Sequence, residues 1–388
     1  QNSAPFGAIT AAGLRPSLSS GMQTWPSCGR RRLFQWFLLF TLAFLTYCVL
    51  WYWERYKVTS NWFNQVAPQK RVLKVMLWHE LGPNSMERLF PKQITSTCAY
   101  NCSYTNDKSQ LNSSNVIVFN TYTSWSVLPK YRSPEQAWLL YAMEPPYRVP
   151  KPREWFNSLQ FNWTLSYRFD ADIVHRHSFQ VVRLQRTATE SSTVVPPKPK
   201  KVAWIVSNCK TFSQREDYVK ALRKTIQVDV YGRCGTLKCK SRGFECYQDV
   251  GRDYYFYLAF ENSICKDYST EKLFYPLMNG MIPIVMGGVN YSRVTPPGSF
   301  INFDAFRSPE ELGNYLNSLI NHPEALKPFY EWKTHFGLEH PHMCCTLCEG
   351  AHKLLKQKPK FYTNIFDYLR KDVGCMSWKR KLRLKYGT

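Results

Sequence analysis

The chain has 388 residues, 44% of them hydrophobic, which is apolar material enough for two domain cores. Its formal net charge of +23 invites a nucleic-acid partner. The basic runs, however, are confined to Arg30–Arg32, Lys198–Lys201 and Lys379–Lys385, with no zinc-finger spacing, homeodomain pattern or RNP motif beside them. Nucleic acid is therefore not an expected partner.

Leu33–Trp53 is a run of twenty-one residues without a charge, and only Gln35, Thr41 and Thr46 in it are markedly polar. At ~1.5 Å per residue a helix of that length crosses a bilayer core of ~30 Å. Arg30–Arg32 before it predicts a cytosolic flank, and Trp51–Trp53 an aromatic belt at the far side. WYWERY offers no small-residue cleavage site, so the expectation is an uncleaved signal anchor. That reading gives a cytosolic tail over 1–32, an anchor over 33–53 and a stem over 54–70, with all that follows in a lumen. Sequons at Asn101, Asn112, Asn162 and Asn290 agree with a lumen. So do eleven cysteines beyond Cys48, an odd number allowing five disulfides and one thiol.

A first α/β domain is expected over 71–195, with strands at Val72–Trp78, Val116–Phe119 and Ala137–Met143. Glu144 follows the third strand at the sheet's carboxyl edge, and Pro145-Pro146 fixes an extended turn after it. On its own such a glutamate is a loop residue. Asp170-Ala171-Asp172 has the spacing of a metal-holding doublet, while His175 and His177 face opposite ways on a strand. Residues 187–201 are rich in Ser, Thr, Pro and Lys and mark a domain boundary, with 196–201 as the linker.

A second domain, 202–365, opens with a strand at Val202–Val206, a helix at Gln214–Lys224 and a strand at Val228–Tyr231. Tyr254–Phe260 reads as a buried strand ending at Glu261-Asn262. Ser269-Thr270 then caps a helix from Glu271 to Asn279, and Ile282–Met286 returns as a strand. Open α/β sheets bind ligands at the carboxyl ends of their strands, where Glu261, Asn262, Glu271 and Lys272 all fall. A lysine in a helix's first turn opposes the helix dipole, and an anionic ligand there removes the conflict. Late helices are expected at Pro309–Leu319 and Gly350–Lys356, and 366–388 as a basic tail.

Phe256-Tyr257-Leu258, Phe260–Ser263, Asp267-Tyr268 and Thr270–Lys272 together resemble the donor signature of the α1,3/α1,4-fucosyltransferases, FYL-x-FENS-x-x-x-DY-x-TEK. AMEPPYRVP resembles the family's LESP element, with a second proline in place of serine, and Phe161–Ile173 its FNLTLTYR-x-DSDI. The resemblance implies a GT-B fold, two Rossmann-like domains facing across a cleft, here preceded by one transmembrane helix. It implies an inverting Golgi enzyme, a single-pass type II membrane protein that uses GDP-fucose as donor. Glycoprotein N-glycans are the implied acceptors, with core GlcNAc favoured because GRCGTLKC and Cys265 resemble the core-directed branch. A Lewis-type enzyme acting on lactosamine, or a silent glycan-binding protein of this fold, is the alternative.

Inverting transfer needs a base for the acceptor hydroxyl and positive charge against the departing diphosphate. The resemblance implies Glu144 as the base. It implies Val206, Ser207, Asn208, Arg215, Tyr218, Tyr254, Phe256, Tyr257, Glu261, Asn262, Glu271 and Lys272 as donor-binding residues, Arg215 and Lys272 supplying the charge. No cofactor is required and no metal is expected, the Asp doublet having no metal role in the family, although Mn²⁺ stimulation is compatible. Cys345-Thr346-Leu347-Cys348 resembles a CxxC that is disulfide-bonded in relatives, and Cys234, Cys239, Cys246 and Cys265 are read as local staples.

Overall fold

The computed structural model describes residues 28–63, 72–78, 98–121, 128–149, 159–175, 180–185, 195–241, 243–339 and 342–387. His177 and the linker stretch 187–194 lie outside them. The chain divides into two units, Gln1–Gln69 and Lys70–Thr388.

The first unit holds one helix, α1 (Cys28–Phe63), thirty-six residues long, which runs past Trp53 into the expected stem. Phe37, Phe40, Leu45 and Leu50 on it are exposed. Among the described residues no helix is long and apolar enough to cross a membrane, so the fold does not establish the expected span.

The second unit is built on two parallel sheets. One has six strands, β1 (Leu73–Leu77), β2 (Cys102–Thr105), β3 (Val116–Asn120), β4 (Ala137–Ala142), β5 (Trp163–Ser166) and β6 (Ile173–Val174), in the order β2-β1-β3-β4-β5-β6. Every residue of β3 and β4 is buried, as expected for parallel strands covered on both faces. A short pair, β7 (Gln180–Arg183) with β13 (Phe336–Glu339), is antiparallel.

The other sheet has five strands, β8 (Lys200–Ile205), β9 (Val228–Tyr231), β10 (Tyr254–Phe260), β11 (Ile282–Met286) and β12 (Ile301–Asn302), in the order β12-β11-β10-β8-β9. Helices α2 (Arg215–Leu222), α3 (Phe244–Asp253) and α4 (Glu271–Met278) connect its strands, and α5 (Pro309–Asn321) follows the last. The strands β9, β10 and β11 run as the sequence predicts, whereas α3, β2, β5 and β6 were not anticipated. Glycine is required at Gly288, where an added Cβ would lie 2.0 Å from the Cys265 carbonyl oxygen.

The C-terminal third departs from expectation. Helix α6 (Met343–Leu354) buries Met343, Cys344, Leu347 and Ala351 in the core of the first sheet, with Leu73, Val75 and Leu139. Helix α7 (Ile365–Arg370) adds Ile365 and Leu369 beside Trp138 and Phe161. The chain then returns, and α8 (Trp378–Tyr386) packs on the second sheet. Of the expected tail 366–388, the described residues 366–387 are no loose end: Trp378 meets Tyr218 edge-on at 5.1 Å, while Lys381 and Lys385 both pair with Asp304 at 3.1 Å.

Among the described residues there are five disulfides, Cys98–Cys345, Cys102–Cys348, Cys209–Cys234, Cys239–Cys246 and Cys265–Cys375, and Cys344 is a buried free thiol. The expected Cys345–Cys348 bridge is therefore corrected. Both residues lie in α6 at i, i+3, where Cβ atoms stand ~5–6 Å apart, against ~3.5–4.5 Å in a disulfide. Sharing one helix face, they reach instead to Cys98 and Cys102 beside β2. Cys265 is not a local staple either, since its partner is 110 residues away. Asn162 is corrected as a glycosylation site: it is buried, its Oδ1 accepts from Trp138 N at 2.8 Å and its Nδ2 donates to Lys360 O at 3.0 Å. Asn101, Asn112 and Asn290 are exposed.

Peptide mapping without reduction should recover the 98–345 and 102–348 linkages. A 345–348 peptide would contradict this arrangement of α6.

Candidate active site

The carboxyl edges of the two sheets carry the polar groups. β4 ends in buried Met143 and half-buried Glu144, and Pro145 starts the single 3-10 turn Pro146–Arg148. β8 ends in Val206, Ser207 and Asn208, and β10 in Glu261 and Asn262.

Glu261 organises the second edge. Its carboxylate is buried and accepts from the Thr270 N–H at 2.7 Å and the Thr270 hydroxyl at 2.8 Å. Thr270 is the N-cap of α4, but its hydroxyl serves Glu261 rather than a helix amide. Burial raises the Glu261 pKa above the ordinary carboxylate value, Lys272 and Thr270 lower it, and Glu271 adds to the rise, with a net shift upward. The stability it contributes therefore falls as pH climbs from the ordinary carboxylate range through the raised value.

Lys272 lies mostly buried in the first turn of α4. It donates to Thr270 Oγ1 at 2.9 Å and Glu271 Oε1 at 3.0 Å, with Glu261 Oε2 at 3.7 Å. Burial opposes its charge, but Glu271 and Glu261 outweigh both burial and the nearby Arg215, and its pKa rises above the ordinary 10.5. Its stabilising contribution is complete below 10.5 and is lost only as pH passes the raised value. At neutral pH it is an ammonium.

Arg215 opens α2 and is 3% exposed. Its guanidinium donates to Phe260 O at 2.5 Å and Asn208 O at 3.2 Å, tying the ends of β10 and β8 together. The expected fork onto a ligand is thus turned toward backbone, and Lys272 is the more available cation. Asn262 O accepts from Ser213 N at 3.0 Å, and Asn262 Oδ1 from Ser263 Oγ at 3.0 Å.

Four of the expected donor residues belong elsewhere. Tyr218 is fully buried, edge-on to Phe260 and Phe303 at 5.5 and 5.7 Å. Tyr254, Phe256 and Tyr257 are likewise core. Tyr254 begins β10, and at ~3.3 Å per residue it stands about 20 Å from the carboxyl edge. The Asp doublet is bound by protein donors: Asp170 pairs with Arg168. Asp172 accepts from Thr164 N and Tyr362 OH at 2.8 Å each and pairs with Lys360.

The two edges meet through Tyr268, on the loop between β10 and α4. It is buried, packs edge-on against Tyr167 at 5.0 Å, and its hydroxyl donates to Glu144 Oε2 at 3.3 Å. Burial pushes that hydroxyl's pKa well above 10, and Glu261 and Glu144 push it further, so it remains a donor. Tyr268 lies within the sequence signature, but only its contact with Glu144 reveals this role. The Glu144 carboxylate at the first sheet's edge is thereby in contact with the loop that leads into α4.

Comparison with known proteins bears on the family. Residues 195–368 match "Glycosyltransferase family 10 (fucosyltransferase) C-term", and residues 70–178 match "Fucosyltransferase, N-terminal". The chain is 33% identical to Alpha-(1,3)-fucosyltransferase C of Drosophila melanogaster over 74% of its length and 72% of the relative's. It is 31% identical to Glycoprotein 3-alpha-L-fucosyltransferase A of the same organism, over 82% of this chain and 64% of that one. A solved alpha1,3-fucosyltransferase with GDP-fucose shares the fold at a TM-score of 0.52 and 15% identity, covering 78% of this chain and 95% of that one.

Thr270→Val keeps the side-chain shape but removes a hydroxyl that serves buried Glu261. Unfolding by denaturant should show a loss of about 1–3 kcal/mol. Wild-type stability in that variant would remove Glu261 from its organising role.

Proposed function

Because the chain belongs to glycosyltransferase family 10, the fucosyltransferases, we propose that it transfers fucose from GDP-fucose, with inversion, to the 3-hydroxyl of a GlcNAc residue of glycoprotein N-glycans. Core GlcNAc is the favoured acceptor, on the resemblance of GRCGTLKC and Cys265 to the core-directed branch. The observation that carries the mechanism is the Tyr268–Glu144 contact, which places the carboxylate of one sheet against the donor loop of the other. Glu144 takes the proton of the acceptor hydroxyl as its oxygen bonds to C1 of fucose. The bond from C1 to the β-phosphate oxygen breaks, and GDP leaves with the electron pair. Lys272, the helix N-terminus beside it and the nearby Arg215 charge stabilise the diphosphate, worth more in this partly buried setting than in water. Glu144 in contact with the Tyr268 loop, together with the Lys272 ammonium, favours an enzyme over a silent binding protein.

The enzyme works, on this proposal, as a type II protein of the Golgi membrane with its catalytic body in the lumen. Support comes from the uncharged run 33–53, which falls within the thirty-six residues of α1, and from the five disulfides, which suit an oxidising compartment.

Assay of the 54–388 fragment with labelled GDP-fucose, against core N-glycans and lactosamine in parallel, tests the reading. Glu144→Gln preserves shape but cannot take the proton, so turnover should fall by ~10²–10⁴-fold. GDP affinity should hardly change. Near wild-type turnover would exclude Glu144 as the base, and preference for lactosamine would favour the Lewis-type alternative.

The source of positive charge is tested separately. Lys272→Ala should weaken GDP binding by ~10–100-fold, and GMP binding less, because GMP lacks the β-phosphate. Excess EDTA should slow turnover modestly at most. Complete loss restored only by Mn²⁺, with Lys272→Ala harmless, would assign the charge to a metal.

A further inference from the structure

Two aromatic rings remain in solvent beside this site. Tyr147, three residues after Glu144, is 41% exposed, and Phe212, three residues before Arg215, is 46% exposed. Tyr147 comes from the loop after β4 and Phe212 from the loop between β8 and α2, so each edge supplies one ring. The rings stack on one another, with centroids 5.4 Å apart and planes at 25°. The Tyr147 hydroxyl donates to Asn262 O at 3.4 Å. Burial raises its pKa, while Ser263, Arg148, Glu144 and Arg215 all act on it, which places the hydroxyl inside the polar site. Isolated exposed apolar side chains need no explanation, but a stacked pair at the lip of a polar site invites a ligand.

We propose that Tyr147 and Phe212 form a platform for a pyranose ring of the acceptor, the class of ligand set by the reading above, on which this inference rests. A pyranose carries hydroxyls at its rim and an apolar face of C–H groups. The rings offer a surface for that face, and Glu144 and the exposed Arg148 both bear electrostatically on the Tyr147 hydroxyl, so groups able to bond rim hydroxyls lie close by. A spacing of 5.4 Å leaves no room between the rings, so the sugar lies on their outward surface. The reading above assigns the donor's diphosphate to Lys272 and the helix N-terminus beside it, which leaves the rings to the acceptor. Tyr147 follows Glu144 by three residues, and on this proposal a sugar seated on the rings presents its hydroxyl to that carboxylate.

The test compares Phe212→Ala and Phe212→Trp with the wild-type protein. It reads acceptor KM, kcat, GDP affinity, the thermal midpoint and acceptor-free hydrolysis of GDP-fucose. Phe212→Ala should raise acceptor KM by about 3–10-fold, with GDP affinity and hydrolysis unchanged, and Phe212→Trp should restore KM. An unshifted acceptor KM in Phe212→Ala overturns the platform while transfer itself persists. Loss confined to GDP affinity or the thermal midpoint would instead make the pair a structural latch and also overturn it. Absence of transfer and hydrolysis in the wild-type protein would overturn the function and the platform together.

Discussion

A buried carboxylate at the end of β10 is the constraint on which the rest of the site depends. Glu261 sits in a place that disfavours charge, and it is held by the Thr270 amide and hydroxyl with Lys272 close by. That arrangement fixes where α4 begins, and therefore where the Lys272 ammonium stands. It also fixes the path of the loop bearing Tyr268, whose hydroxyl reaches across to Glu144. Glu144 stands at the edge of one sheet and Lys272 at the edge of the other, and the loop bearing Tyr268 and Thr270 links them.

The C-terminal segment makes that placement durable. Residues 343–370 complete the core of the first sheet, and residues 378–386 cover part of the second. Between them, Cys375 is bonded to Cys265 in the donor loop, Lys266 N donates to Val373 O at 2.8 Å, and Met376 N donates to Ile264 O at 2.9 Å. The loop that bears Tyr268 is thus fastened to the segment crossing between the two cores. The paired bridges from α6 to Cys98 and Cys102 anchor the other end of the same segment. Each of those bridges closes a loop of about 250 residues, the regime in which a cross-link restricts the unfolded chain most.

Burial separates residues that a shared motif does not. Tyr254, Phe256 and Tyr257 stand in the same run of sequence as Glu261, yet they belong to the core and Glu261 to the site. A strand that is apolar on both faces spends its length on packing and presents only its last residues to a ligand. Arg215 illustrates a second division. Its charge bears on Lys272, but its N–H groups hold the backbone at the ends of β8 and β10. The cation most open to a diphosphate is therefore the lysine.

Alone, the sequence determined the elements that hydrophobic period and turn chemistry mark strongly. The strands Val228–Tyr231, Tyr254–Phe260 and Ile282–Met286, the start of α4 after Thr270, and the position of Glu144 beyond β4 were all legible in it. It also determined the count of thiols, since eleven cysteines beyond Cys48 leave one unpaired, and Cys344 is that one. Tertiary structure alone decided the pairing of the others, because i, i+3 positions on a helix point the same way and must find partners elsewhere. It decided that Asn162 is buried and hydrogen-bonded rather than open to a glycan, and that the basic C-terminus is a helix on the second sheet. It also decided the meeting of Tyr268 with Glu144 and of Tyr147 with Phe212. Those contacts join residues 65 to 124 positions apart. Local propensity acts over a few residues, and only the packing of two sheets brings such distant groups to one edge.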